Sequence, residues 1–244
     1  MNKELMNYIL GIKKAEAIAE KVVLLPYLPL KMFKDKFEKI EGTFAGSTQY
    51  KGFTASSQGQ RLTFINTGPG SAAVGDLVLW LKDLAKKLLL AGSVGALDPE
   101  LALGDYLLPV EAIAGEGFSQ YLLQNAKQRF LEAPRVTIQD GLWERCEKLP
   151  VRKGVVYTIG ALNAEENVFL ELLRTQGVAA LDMETSAFYA AAEKAAIPAL
   201  ALHYVSDLPL RQPFYQKPDK ADQLKINYAL EGFPQTIIDL ILSL

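Results

Sequence analysis

One cysteine and one histidine in 244 residues leave little room for several kinds of chemistry. Cys146 has no partner for an internal disulfide, and His203 with Cys146 cannot complete a zinc ligand set, so no metal site is expected. Long apolar runs are missing too. Nothing approaches the roughly 20 residues of a membrane-spanning helix, and Met1 to Leu10 carries Lys3, Glu4 and Asn7 where a signal peptide would be apolar. The expected compartment is the cytoplasm, with no membrane partner. Neither sign of charge dominates: 26 lysines and arginines face 28 acidic residues, for a net charge of −2. That balance gives no electrostatic reason to bind nucleic acid. No 20-to-50-residue period, low-complexity block or Pro/Gly/Ser-rich linker divides the chain, so residues 1–244 read as one domain.

What is present is apolar and alternating. Half of the residues are hydrophobic and only 22% are charged, enough to bury one sizeable core. A helical pattern from Lys3 to Lys21 leads into the buried strand Val22 to Leu25, stopped by Pro26. Thr43 to Ser56 and Arg61 to Asn66 read as strands joined by a turn at Ser57, Gln58 and Gly59. A helix from Ala72 to Lys86 follows, then strands at Leu88 to Ala91 and Gly104 to Pro109. Later strands fall at Val155 to Thr158, Val178 to Leu181 and Pro198 to Val205. They alternate with helices at Ala164 to Thr175, Thr185 to Ala196 and Ala221 to Leu242. This order predicts an α/β fold with a mixed, mostly parallel central sheet flanked by helices, and ligands at the carboxyl ends of its strands.

Four segments stand where such ligands gather. Gly68-Pro69-Gly70-Ser71-Ala72-Ala73 lies between a strand and a helix and matches the G-x-G-x-x-A dinucleotide pattern. That pattern expects an acidic residue about 20 positions on, and Leu90-Ala91-Gly92 stands there instead. A second Gly-rich segment, Gly92-Ser93-Val94-Gly95-Ala96-Leu97, reads as another turn after a buried strand, and two such turns on adjacent strand ends predict a backbone-lined pocket. In Asp182-Met183-Glu184, at the start of an Ala-rich helix, Asp182 reads first as a cap, whereas Met183 and Glu184 have no such plain use. Ser206-Asp207 ends the apolar strand that begins at Pro198, where Asp207 reads as an acid in the site or as the start of a turn.

These segments, in this order from about Arg61 to Asp207, resemble the nucleoside phosphorylase superfamily, which includes purine nucleoside phosphorylase, uridine phosphorylase and methylthioadenosine/S-adenosylhomocysteine nucleosidase. Thr67 to Ala73 is similar to the family's T-G-x-G-x-x-S-A turn with one residue fewer. Gly92 to Leu97 with Leu103-Gly104-Asp105 is similar to G-[ST]-x-G-[AG]-L…V-G-D, Asp182-Met183-Glu184 to E-M-E, and Ser206-Asp207 to the closing S-D of purine-cleaving members. The resemblance implies cleavage of the N-ribosyl bond of a purine nucleoside, as in purine salvage. Glu184 would hold the ribose hydroxyls, Met183 would pack on the sugar, and Asp207 would protonate N7 of the leaving base. Gly68, Gly92 and Ser93 would lie on the side of the nucleophile, and Thr158, Ala161 and Ser206 on the side of the base. It implies no cofactor, phosphate as a candidate co-substrate, and a homo-oligomer, either a dimer or an assembly of dimers. An oxocarbenium-like transition state and a departing purine need such carboxyl groups, one ionised and one protonated.

The chain also departs from the pattern. The phosphate arginines of a G-D-P-x-R loop and of the residue before Ala91-Gly92-Ser93 are replaced by Leu25 to Leu30 and by Leu90. The glutamate with which hydrolytic members activate water has no counterpart in Tyr27 to Leu30, and the amino-terminal histidine has none in Met1 to Lys14. Phosphate and water therefore both stay open as the nucleophile. Glu165 and Asn167 stand where uridine-cleaving relatives carry a glutamine and an arginine, which gives no support for a pyrimidine. His203 reads as a packed core residue and Arg211 as a solvated loop charge within reach of the site. The rival readings are a nucleoside-binding protein without turnover and a nucleotide-cofactor oxidoreductase using Gly68 to Ala73.

Overall fold

A computed structural model describes residues 3–117, 119, 123–139, 141–147 and 149–244. Helix α1 (Lys3–Leu10) buries Met6, Ile9 and Leu10. The helix expected to reach Lys21 ends here because Gly11 turns at φ +68°, where a Cβ would stand 2.1 Å from the Ala45 carbonyl oxygen. Strand β1 (Lys21–Leu25), helix α2 (Leu30–Lys34) and strands β2 (Ile40–Ala45), β3 (Lys51–Ser57) and β4 (Gln60–Asn66) follow. The single strand expected from Thr43 to Ser56 is thus two antiparallel strands. The expected turn between β3 and β4 has Gln58 and Gly59 both at positive φ, the tight two-residue hairpin geometry.

Helix α3 (Ser71–Trp80) precedes β5 (Lys87–Ala96) and β6 (Tyr106–Gly115); α4 (Ala126–Leu131), β7 (Arg135–Thr137) and β8 (Val151–Ile159) come next. Helix α5 (Asn167–Thr175), β9 (Val178–Asp182), α6 (Thr185–Ala195), β10 (Ala199–Asp207) and α7 (Lys220–Ser243) complete the chain. The second Gly-rich segment is not a turn: β5 runs straight through it, with Gly92 paired to His203 and Gly95 to Asp207 on β10. Its glycines give clearance instead. A Cβ on Gly95 would meet the Pro209 ring at 2.7 Å, and one on Gly92 would press on the His203 ring at 3.2 Å. The two Gly-rich segments are also not on adjacent strands, since β1 lies between β4 and β5.

Among the described residues ten strands form one mixed sheet in the order β10-β6-β8-β9-β5-β1-β4-β3-β2, with β7 on β6. Strand β10 pairs with β5 as well as with β6, so β5, β10, β6, β8 and β9 close into a ring. Val94, Leu107, Val156, Ala180 and Val205, one from each of these strands, pack in a single cluster. Outside the ring, α7 packs on β1 and β5, α6 packs on β5, β6 and β10 and against α3, and Leu77, Phe188 and Phe233 of these helices share one buried cluster; α5 sets Phe169 against Tyr157, with Leu173 and Ile159 in the same cluster. Among the described residues no helix is long and apolar enough to cross a membrane.

Candidate active site

Strands β5, β8, β9 and β10 end at a common cavity of about 340 Å³. Each end contributes chemistry: Ser93 to Gly95 from β5, Ile159 from β8, Leu181 to Glu184 from β9 and its exit, and Tyr204, Ser206 and Asp207 from β10. Tyr27 and Phe214, each more than half exposed, stand at the mouth. Leu162 and Glu165 line it from the turn after β8.

At the β9–α6 junction the capping carboxyl and the carboxyl free of the cap are different residues. Asp182 Oδ2 accepts from the Thr185 amide at 2.6 Å, from the Glu184 amide at 3.2 Å and from the Thr185 hydroxyl, while Oδ1 accepts from Thr158 Oγ1 at 2.7 Å. Asp182 therefore holds the first turn of α6, as its sequence position suggests. Glu184 occupies the cap position of α6, yet its side chain makes no capping bond. It is 4% exposed and reaches across to accept the Gly70 amide proton at 2.6 Å. Ser71 Oγ donates to the Met183 carbonyl at 2.7 Å, so the first Gly-rich turn and the Met183-Glu184 pair are bolted together. Gly70, at φ +107°, makes that approach possible. Burial, reinforced by the neighbouring Asp182, pushes the Glu184 carboxyl up to about 8. Met183 lies half-buried beside it, with the Tyr27 hydroxyl 3.6 Å from its sulfur.

At the other end, Ser206 Oγ donates to Asp207 Oδ1 at 2.7 Å. Burial pushes the Asp207 carboxyl up, partly offset by that bond and by the Phe214 amide. Glu165 is pushed up to about 7 by burial and by the charge of Asp207. Tyr204, beside Ser93 in register, has its phenol raised by burial and eased by a hydrogen bond with Ser93.

Of the residues singled out in the sequence, Ser93, Met183, Glu184, Ser206 and Asp207 come together around this cavity. Gly68, Gly92, Thr158 and Ala161 are not among its lining residues. Gly68 sits at φ +69° in the turn before Gly70. Gly92 is covered by the His203 ring, Ala161 is buried, and Thr158 is wholly buried behind the lining, bonded to Asp182 and the Ser186 amide. His203 is a buried core residue, its Nε2 2.9 Å from Thr185 Oγ1. Arg211 is exposed and donates to the Leu101 carbonyl at 3.4 Å, outside the lining. Tyr27 and Phe214 are functional candidates that the motifs did not announce, and Glu165, met in the sequence only as a mismatch to a pyrimidine clamp, joins them at the cavity. Only the aromatic pair Phe214-Tyr215 in a polar, proline-containing loop carries a signal, since an exposed aromatic there has no core to serve.

The family model of the phosphorylase superfamily matches residues 22–226. Purine nucleoside phosphorylase DeoD-type from Alkaliphilus metalliredigens is 28% identical over 216 residues, covering 83% of this chain and 88% of its own. Uridine phosphorylase from Vibrio fischeri superposes with a TM-score of 0.76 at 17% identity, covering 95% of both chains. Campylobacter jejuni 5′-methylthioadenosine/S-adenosyl homocysteine nucleosidase gives 0.73 at 16% identity, covering 92% of this chain and all of the other. The chain belongs to the phosphorylase superfamily. It is an enzyme of the nucleoside phosphorylase and nucleosidase class.

Proposed function

We propose that the protein cleaves the N-ribosyl bond of an uncharged purine nucleoside, as a cytoplasmic homo-oligomer in purine salvage. The observation that carries this reading is the Glu184 carboxylate, buried at the cavity floor and excused from capping by Asp182. A ribose seated on Met183 would offer its 2′- and 3′-hydroxyls to Glu184, whose ionised form also stabilises the positive charge that develops at C1′. The base would extend toward Ser206 and Asp207, with Phe214 beside its face. Asp207, raised by burial, passes its proton to N7 as the N9–C1′ bond breaks and the bonding electron pair moves to the base. The nucleophile would enter beside Ser93, near the end of β5. The lining carries Glu165, Asp182, Glu184 and Asp207 and no lysine, arginine or histidine among the described residues. A phosphate dianion would meet repulsion there with no cation to offset it, which favours water. Titration calorimetry with adenosine and with its 2′,3′-dideoxy analogue tests the reading. The dideoxy compound should bind at least about tenfold more weakly, the loss of a charged hydrogen bond. Equal affinities would overturn it.

A further inference from the structure

The end of the cavity assigned to the base holds two carboxyl groups, Asp207 from the end of β10 and Glu165 from the turn after β8. The nearest hydroxyl, Ser206 Oγ, already donates to Asp207. The other titratable groups facing the cavity are Tyr27 from the loop after β1, Tyr204 from β10, and Asp182 and Glu184 from the β9–α6 junction. None of them supplies a positive charge. Burial raises both carboxyls, and the charge of Asp207 adds to the rise of Glu165, to about 7. Two carboxyls lining one end of a cavity with no cation beside them disfavour joint ionisation, so one protonated and one ionised is the favoured form of the pair. A bound base then decides which of the two carries it.

A carboxyl pair with one proton presents one donor and one acceptor. The matching edge is that of a 6-aminopurine, in which the acceptor N7 lies beside an exocyclic amino donor. A 6-oxopurine offers two acceptors, N7 and O6, and would leave a carboxylate oxygen facing O6 without a proton between them. We propose that Glu165 is a specificity-determining residue that accepts from the exocyclic amino group while Asp207 donates to N7, so that the site selects 6-aminopurine over 6-oxopurine nucleosides. Glu165 transfers no proton. The proton given to N7 comes from Asp207, and the electron pair of the broken bond stays on the base.

This inference rests on the purine nucleoside reading, and its test separates the two. Affinity and kcat/KM are measured for adenosine and inosine in the wild type, in Glu165→Gln and in Glu165→Ala, with thermal unfolding used to check that each variant is folded. The wild type should favour adenosine by at least about tenfold. Glutamine can donate to O6, so Glu165→Gln should narrow that preference by about tenfold, mainly by improving inosine. Glu165→Ala should lose adenosine affinity and leave inosine nearly unchanged. The analogue 7-deazaadenosine keeps the amino group and lacks N7, so its affinity should fall in Glu165→Ala and be indifferent to Asp207→Asn. If adenosine still binds and the adenosine-to-inosine ratio is the same in all three proteins, the role of Glu165 is overturned and the nucleoside reading survives. If the wild type binds neither nucleoside, both are overturned.

Discussion

Replacing Glu184 by glutamine keeps the side chain's shape and its acceptor for the Gly70 amide while removing one buried negative charge. In the folded protein the carboxyl is raised from 4.5 to about 8 by burial and by Asp182, so the native state holds a proton that the unfolded chain has released. Between those limits the native state binds more protons than the unfolded one, and stability must fall as pH rises, by at most about 1.4 kcal/mol per unit. Over the whole window the loss is on the order of 3–5 kcal/mol. Glu165 and Asp207 slope in the same direction, so the difference between variant and wild type isolates Glu184. Urea unfolding from pH 5 to 9 should give nearly equal stabilities at pH 5 and a variant more stable by several kcal/mol at pH 9. Nucleoside affinity should move the opposite way. Under the proposed function the ribose hydroxyls bind the ionised carboxylate, so the variant should bind more weakly by about 1.5–3 kcal/mol above pH 8. Parallel stability curves for the two proteins would refute the claim that Glu184 is held in the cavity at the expense of the fold.

Asp207→Asn should keep the fold and lower turnover by about 10²–10⁴, because an amide can donate to N7 but cannot release a proton to it. A 7-methylated purine nucleoside, whose base already carries the charge, should recover most of that rate; equal impairment on both substrates would remove Asp207 from the role. Millimolar phosphate should change purine release little, and rapid formation of ribose 1-phosphate would show that a cation reaches the Ser93 end from elsewhere. Asp182→Ala strips the first turn of α6 and Thr158 of their acceptor, and should cost at least about 2–3 kcal/mol in urea unfolding. A loss below about 0.5 kcal/mol would mean that the helix end is held by something else.

The elements were legible in the sequence wherever an apolar run met a turn residue. Val22 to Leu25, Val178 to Leu181 and the Ala-rich helix after Thr185 emerge within a residue or two of β1, β9 and α6. The helix expected to reach Lys86 ends at Trp80 and the strand expected to stop at Pro109 runs on to Gly115, while two further errors fall where glycine is ambiguous. Gly92 and Gly95 read as a turn, but in the fold they clear space for His203 and Pro209 along a continuous strand, a need that arises only once β10 lies beside β5. The opposite error placed one strand across Gly46, where a Cβ would stand 2.1 Å from the Ile9 carbonyl oxygen. At the site, motif residues such as Glu184 and Asp207 could be picked out because an acid directly after an apolar strand is costly without a use. Tyr27 and Phe214 could not, and Glu165 could be named but given no role, since all three enter from loops whose course depends on the closed ring of strands. Asp182 and Glu184, two residues apart and chemically alike, were told apart by position, Asp182 reading as the cap, and the bonds of the α6 cap bear that out.

Release of free base from adenosine, compared with uridine, in phosphate-free buffer tests the central claim most directly. Chromatography of the reaction should show adenine and free ribose from adenosine, little or no uracil from uridine, and adenine release slowed by about 10²–10⁴ in Asp207→Asn. Uracil released faster than adenine, or no base released from any purine nucleoside by the folded protein, would contradict it.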